Sequence, residues 1–332
     1  MNADTRRKVV LMFSGLGSET FQMGRELFAK NQVFRTSLLE LESIARCYGA
    51  YPMLNSERLQ HDQLTGLADT CLTIYMLQLA MVRTLKTYGI EPDCMLAVSM
   101  GFFAAATVAG CMEPEEAMRA ITVQAKTIEM CCPPGGMLAV LAPLELSRDP
   151  NVARFCEIAA INNPSHFVVA ADSKGLLRVE GYLRQRGVTC QRLPVDYAFH
   201  SRWIDEARVP LEKLLVDMAG RPSRIPLICC ARADRMQYLS PEYFWQIARS
   251  PIRFYETIQY LDKGTSLYID VGPAGSLAAT LKGALGPNSS SLVMPTITPF
   301  HNDLQNLEAL LAFKQNSQAD SAPNAWTNRI TV

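Results

Sequence analysis

The 332-residue chain has no surplus of either charge: 32 Lys and Arg stand against 32 Asp and Glu, for a formal net charge of zero. An extended nucleic-acid interface needs a basic excess, so that class is excluded. Long apolar runs are missing too. None reaches the ~18–20 residues that cross a bilayer, and no membrane span is expected. Met1–Lys8 is polar, and the run Val9–Phe13 is too short for a signal-peptide core, so a cytoplasmic location is the expectation. Histidine is scarce, with four residues, none near a cysteine at metal-ligand spacing. The ten cysteines form no C-x-x-C pair, and most lie in apolar stretches such as Ile228–Cys230. They read as reduced, buried small hydrophobes, and no metal is implied. Internal repeats and low-complexity segments are absent.

What is present is a sizeable core: 48% of the residues are hydrophobic and 19% charged. Short apolar runs alternate with helical periodicity. Val9–Phe13 reads as a buried strand running into the turn Ser14-Gly15-Leu16-Gly17-Ser18. Helices are expected over Phe21–Phe28, Phe34–Ala45 and Ala68–Tyr88, the last stopped by Gly89. The strand-like run Pro92–Val98 ends at Ser99, and helices Met100–Ala109 and Glu115–Met130 follow. After the break at Pro133–Gly136 the pattern changes to four short strands, starting at Met137, Ile158, Phe167 and Thr189, with a helix over Leu176–Gln185. The larger pattern resumes at Asp196, with helices Ile204–Met218, Tyr243–Ala248, Phe254–Lys263 and one near Ala274, and strands Leu227–Ala231, Ser266–Val271 and Leu292–Met294. The fold class expected is α/β: a large α/β-hydrolase-like domain with a parallel sheet (1–130 and 196–316) and a small inserted ferredoxin-like α/β subdomain (131–195). The polar tail Ser317–Val332 is expected to be flexible.

In parallel sheets the working residues sit beyond the carboxyl ends of the strands. Ala97-Val98-Ser99-Met100-Gly101 lies between a strand and a helix, the setting of a nucleophile elbow. Such a serine meets the helix N-terminus, whose N–H groups stabilise an oxyanion. A serine there is also an ordinary helix N-cap, and S-x-G alone does not decide between the two. A nucleophilic hydroxyl needs a base. His200, in Ala198-Phe199-His200-Ser201, stands at the end of a strand-like run, whereas His61 and His301 sit in polar loops and His166 precedes a strand as a surface or loop residue. By itself His200 also reads as a helix N-terminal surface residue. Gly15-Leu16-Gly17 does not complete a phosphate loop, because Thr20 stands where a third glycine belongs. Its N–H groups suit the second half of an oxyanion hole instead.

Taken in order, these segments resemble the malonyl-CoA:acyl carrier protein acyltransferase family over about residues 8–315. Phe13–Glu19 with Met23–Leu27 resembles the family's F-P-G-Q-G-S-Q opening and M-G-x-x-L, Ala97–Gly101 its G-H-S-x-G, and Ala198–Ser201 its A-F-H-S. Asn162-Asn163-Pro164, Pro251–Phe254 and Val271-Gly272-Pro273 match later family segments. The resemblance implies that Ser99 carries an acyl ester and that His200 is the base and then the acid. It implies an oxyanion hole from the Leu16 and Met100 N–H groups, and an Ile247 carbonyl that orients the imidazole. No cofactor is implied, because acyl groups arrive on the phosphopantetheine of an acyl carrier protein or on CoA. The implied partner is an acyl carrier protein of a polyketide synthase, and the chain itself is expected to be a monomer.

The departures from the family pattern concern the acyl pocket, assigned to Gln124, Val98, Phe199, Asn162 and Cys71. Val98 replaces the histidine before the nucleophile, and Cys71 a glutamine. Counted from Gly110, Gln124 takes the place of the arginine that pairs with the malonyl carboxylate in malonyl-specific members. Breaking such a buried pair costs about 3–5 kcal/mol, or 10²–10³ in specificity. Were the register shifted, Arg119 would be the substitute, although it lies about 140° around the helix from Gln124. The expectation is a trans-acting serine acyl hydrolase of polyketide biosynthesis that clears non-malonyl acyl groups from carrier thioesters. The alternatives are transfer of such a group (or, less in keeping with Gln124, of malonyl) between CoA or carriers, and an inactive relative that only binds a carrier.

Overall fold

The computed structural model describes residues 7–48 and 66–321, apart from 21, 219 and 237. Two sheets carry the architecture. The larger is built from β1 (Lys8–Phe13), β2 (Cys94–Ala97), β7 (Leu227–Cys229), β8 (Asp234–Arg235), β9 (Ser266–Asp270) and β10 (Leu292–Pro295). The smaller holds β3 (Gly135–Leu141), β4 (Glu157–Asn163), β5 (His166–Asp172) and β6 (Thr189–Arg192).

The large sheet has the order β10-β9-β1-β2-β7-β8. Its pairs are parallel except the last, where the two-residue strand β8 runs antiparallel to β7. Val10 to Phe13 and Cys94 to Ala97 are buried without a polar interruption, as strands covered on both faces must be. β1 and β2 lie side by side with Phe13 opposite Ala97. Their carboxyl ends therefore finish level, and the turns after them, at Ser14 and at Ser99, are neighbours. The helix Leu67–Thr87 is buried all round from Cys71 to Val82, which makes it the central core helix. No helix among the described residues is long and apolar enough to cross a membrane.

The small sheet has the order β4-β5-β3-β6 with antiparallel neighbours. With a helical crossover after β3 and the helix Ser173–Gln185 after β5, this is the ferredoxin-like arrangement. One face packs on that helix through Leu138, Val140, Val169 and Leu176. The unit is tied to the rest at Ile252, whose N–H donates to Ala159 (2.8 Å) and whose carbonyl accepts from Ile161 (2.9 Å).

Several boundaries differ from the sequence reading. The expected helix at Phe21 begins only at Arg25, after Gly24 in the left-handed region (φ 73°). The segment expected as one helix over Ile204–Met218 is a 3-10 turn, Arg202–Ala207, and then a short α-helix, Arg208–Leu214. Pro210 has no N–H and is tolerated only in a first turn, so the α-helix starts just before it. The tail was expected to be flexible from Ser317, but a helix, Asp303–Ser321, runs through its first residues. The remainder of that tail and His61 lie outside the described residues.

Candidate active site

Ser99 stands on the turn between β2 and the helix Gly101–Val108, with φ 52°. A left-handed serine is strained, and such strain persists where surroundings enforce it. Here the enforcement comes from contact. Gly101 lies so close to β1 that a Cβ there would strike the Phe13 carbonyl and stand 2.6 Å from that of Ser14. The serine does not cap the helix, whose N-cap is Met100 without a side-chain cap. Its Oγ instead lies 2.9 Å from His200 Nε2.

His200 is buried and also has a positive φ, 61°. Its backbone N–H donates to the Ala248 carbonyl (2.9 Å), and its Nδ1 lies 2.8 Å from the Ser250 carbonyl oxygen. A carbonyl only accepts, so Nδ1 carries the proton and Nε2 is left as the acceptor facing the Ser99 hydroxyl. Burial holds the imidazolium pKa down at about 4, against the Ser250 hydrogen bond, which favours the charged form.

The orienting carbonyl is thus that of Ser250 and not that of Ile247. Ile247 lies within the helix Pro241–Arg249, where carbonyls point along the axis. Ser250 leaves the helix in an extended conformation (ψ 142°), which turns its carbonyl off the axis. Pro251 enforces this, because a residue before proline avoids the α region. Ile247 lines the pocket beside Ser99 instead.

The turn after β1 reaches the same place. A Cβ on Gly15 would lie 2.9 Å from Ser99 Cβ and 3.3 Å from the Met100 nitrogen. Leu16 and Met100 line one pocket with Ser99. No hydrogen bond from the Leu16 or Met100 N–H forms among the described residues.

Two spaces open at Ser99. A cleft of about 430 Å³ runs between the two sheets and is lined by Val98, Phe199, His200, Asn162 and Leu141 among others. The second, also lined by Ser99, leaves only about 10 Å³, close to what one water needs. Gln124, Cys71, Ile128 and Phe199 enclose it. The Gln124 amide donates to the Phe244 carbonyl at 2.9 Å, and burial pushes the Cys71 thiol up. No Lys or Arg is among the described residues lining either space. Arg119 is exposed and lines a separate pocket with Glu115 and Asp217, so it does not substitute for Gln124.

His166 was expected at the surface. It opens β5, is half-buried and faces the cleft, and the Asn162 amide lies 3.3 Å from its Nε2. The signal for it was its place two residues after Asn162-Asn163-Pro164, since the family resemblance had assigned Asn162 to the acyl pocket.

The fold is that of acyltransferases. The loading acyltransferase of the avermectin modular polyketide synthase superimposes with a TM-score of 0.85 at 23% identity, over 92% of this chain and 99% of that one. The malonyl CoA-acyl carrier protein transacylase of Clostridium perfringens gives 0.79 at 19% identity, over 94% and 98%. The chain belongs to the acyl transferase domain family, which residues 10–321 match. It is similar to two proteins described as polyketide biosynthesis acyltransferase homologs. BaeD of Bacillus velezensis is 35% identical over 308 residues, 91% of this chain and 95% of that protein. PksD of Bacillus subtilis is 35% identical over 315 residues, 92% and 96%.

Proposed function

We propose that the protein is an acyl hydrolase of polyketide biosynthesis that removes non-malonyl acyl groups from acyl carrier protein thioesters through an acyl-Ser99 ester. In the first half-reaction His200 Nε2 takes the Ser99 proton as Oγ attacks the thioester carbonyl. The developing oxyanion is held by the Leu16 and Met100 N–H groups. Collapse expels the phosphopantetheine sulfur, which takes the proton from His200. In the second, water gives a proton to Nε2 and attacks the ester, and the free acid leaves as the proton returns to Ser99 Oγ. The Ser250 carbonyl keeps the imidazole in the required tautomer throughout. These proton transfers balance without a cofactor.

The observation that carries the choice of acyl group is Gln124. Its amide is committed to Phe244, and the pocket that it closes holds no cation for a malonyl carboxylate. The water-sized space between Gln124 and Ser99 supports water as the acceptor. The cleft between the sheets has the volume for a carrier arm.

The test offers acetyl, longer acyl and malonyl forms of a carrier protein, with and without a second empty carrier, and follows both by mass spectrometry. Free acid from the non-malonyl substrates is expected. Acyl transfer to the second carrier faster than acid release assigns the protein to transfer instead. Efficient malonyl turnover overturns the role of Gln124.

A further inference from the structure

Ser18 is a buried hydroxyl in the turn after β1, and the mechanism so far makes no use of it. Its Oγ donates to the Gly15 carbonyl at 2.7 Å and accepts from Ser14 Oγ at 3.0 Å. Ser14 is fixed in turn. The amide of Gln78, wholly buried on the core helix, donates to the Ser14 carbonyl at 2.7 Å across 64 residues. One residue further on, the Gly17 N–H is taken up by Glu19 at 2.8 Å.

The Gly15 carbonyl and the Leu16 N–H belong to one planar trans peptide, so they point in opposite directions. A hydroxyl that holds the carbonyl on one side therefore aims the N–H at the other. Ser99 lies close by: Leu16 lines one pocket with Ser99 and Met100, and a Cβ on Gly15 would stand 2.9 Å from Ser99 Cβ and 3.3 Å from the Met100 nitrogen. We propose that Ser18 is a positioning residue that sets and polarises the Leu16 N–H of the oxyanion hole, with Ser14 as the outer donor of the chain. The chain runs from the Ser14 hydroxyl to the Ser18 hydroxyl, the Gly15 carbonyl and the Leu16 N–H. Each bond in such a chain strengthens the next, so the Leu16 N–H is a better donor than an isolated amide. The inference rests on the reading that Leu16 receives the oxyanion of an acyl-Ser99 intermediate.

The experiment compares wild type, Ser18→Ala, Ser14→Ala, the double variant and Ser18→Thr. It measures acyl-Ser99 formation from an acetyl-carrier by intact mass, kcat and KM, melting temperature, and affinity for an alkyl boronic acid that forms a tetrahedral adduct on Ser99. For Ser18→Ala, kcat should fall about 10- to 100-fold with KM within about twofold, a fraction of the 10²–10³ lost with a whole donor. The boronic acid should weaken in step. Ser14→Ala should lose less, the double variant no more than Ser18→Ala, and Ser18→Thr should recover most of the rate. A Ser18→Ala protein with lowered melting temperature but unchanged kcat and boronic acid affinity overturns the proposal and leaves a structural hydroxyl. Should Ser18→Ala not fold, Ser14→Ala decides alone, with an unchanged kcat counting against. If wild type forms no acyl-Ser99, the underlying reading fails. If both proteins form it equally fast, only the role of Ser18 fails.

Discussion

Ser250 offers its backbone carbonyl to His200 Nδ1 at 2.8 Å, and Pro251 is the reason that carbonyl stands off the helix axis. The contact fixes the tautomer and ring plane of the imidazole, as a carboxylate does in a triad, without placing a second charge in a buried site.

It follows that the Ser250 side chain is dispensable and the proline is not. Ser250→Ala should keep kcat within about twofold. Pro251→Ala lets the helix run on and loosens the carbonyl, and kcat should drop about tenfold, well short of the 10²–10⁴ that general-base catalysis supplies. Ile247→Ala should alter acyl selectivity through the pocket it lines and leave the acid limb of the pH profile in place. Steady-state kinetics on the three variants checks the set, and a tenfold loss in Ser250→Ala contradicts it.

The pH profile carries a second expectation. Burial favours the neutral imidazole, so His200 stays a free base until the pH falls to about 4. The profile of kcat/KM should be flat from neutrality down to about pH 5 and bend below that, because the acid limb reports the free enzyme's base. The same sign applies to stability. The unfolded imidazole binds its proton near pH 6.5, so the folded state loses free energy as the pH falls from there toward about 4. An acid limb centred near 6.5 would mean a solvent-exposed imidazole.

The parts of the site legible in the sequence are those that depend on side-chain type. His200 stood out by residue type, although it reaches Ser99 not from a strand end but from a turn beyond β6, held by the Ala248 and Ser250 carbonyls. Ser99 stood out because it follows a strand of the parallel sheet, whose end is level with that of β1. The Gly15–Gly17 turn was legible for the same reason. Ser250 was not, because a backbone carbonyl leaves no trace in residue identity. The only trace is Pro251, which reports on the conformation before it. His166 was misjudged because exposure was read from its position before a strand, while Leu277 and Thr280, which line the same cleft, come from a helix more than a hundred residues further along the chain. The helix Asp303–Ser321 went unread past the last strand. Leu307 and Leu310 are buried, but its later turns are polar and offer no apolar stripe.

Gly101 gives a prediction on stability. An added Cβ would strike the Phe13 carbonyl and stand 2.6 Å from that of Ser14, and both neighbours are backbone that cannot rotate aside. Gly101→Ala should therefore force β1 and the elbow apart and destabilise by about 1–3 kcal/mol. Ser99 and His200 would separate with them, so turnover should fall by more than the loss of folded protein accounts for. Thermal melting together with kcat per folded molecule checks this. A variant with a lowered melting temperature and full activity would show that the elbow tolerates the shift.

Gln124 bears on what the enzyme refuses. Its amide satisfies the Phe244 carbonyl, a bond that a guanidinium also makes, so Gln124→Arg keeps that buried oxygen paired. The extra length must enter the space of about 10 Å³ beside Ser99, which it would fill. The outcome should be a trade. Water is displaced from the ester, and a cation now meets the end of any acyl group that enters. Malonyl over acetyl selectivity should rise about 10²-fold, in line with the about 3–5 kcal/mol of a buried charge pair, while free-acid release from acetyl-carrier falls. The measurement is kcat/KM for both carriers, with the lifetime of acyl-Ser99 read by intact mass. A longer-lived malonyl ester on Ser99 fits a pocket that selects by charge and hydrolyses by an included water. Unchanged selectivity in a folded Gln124→Arg protein would mean that the acyl group lies in the wide cleft between the sheets, away from Gln124.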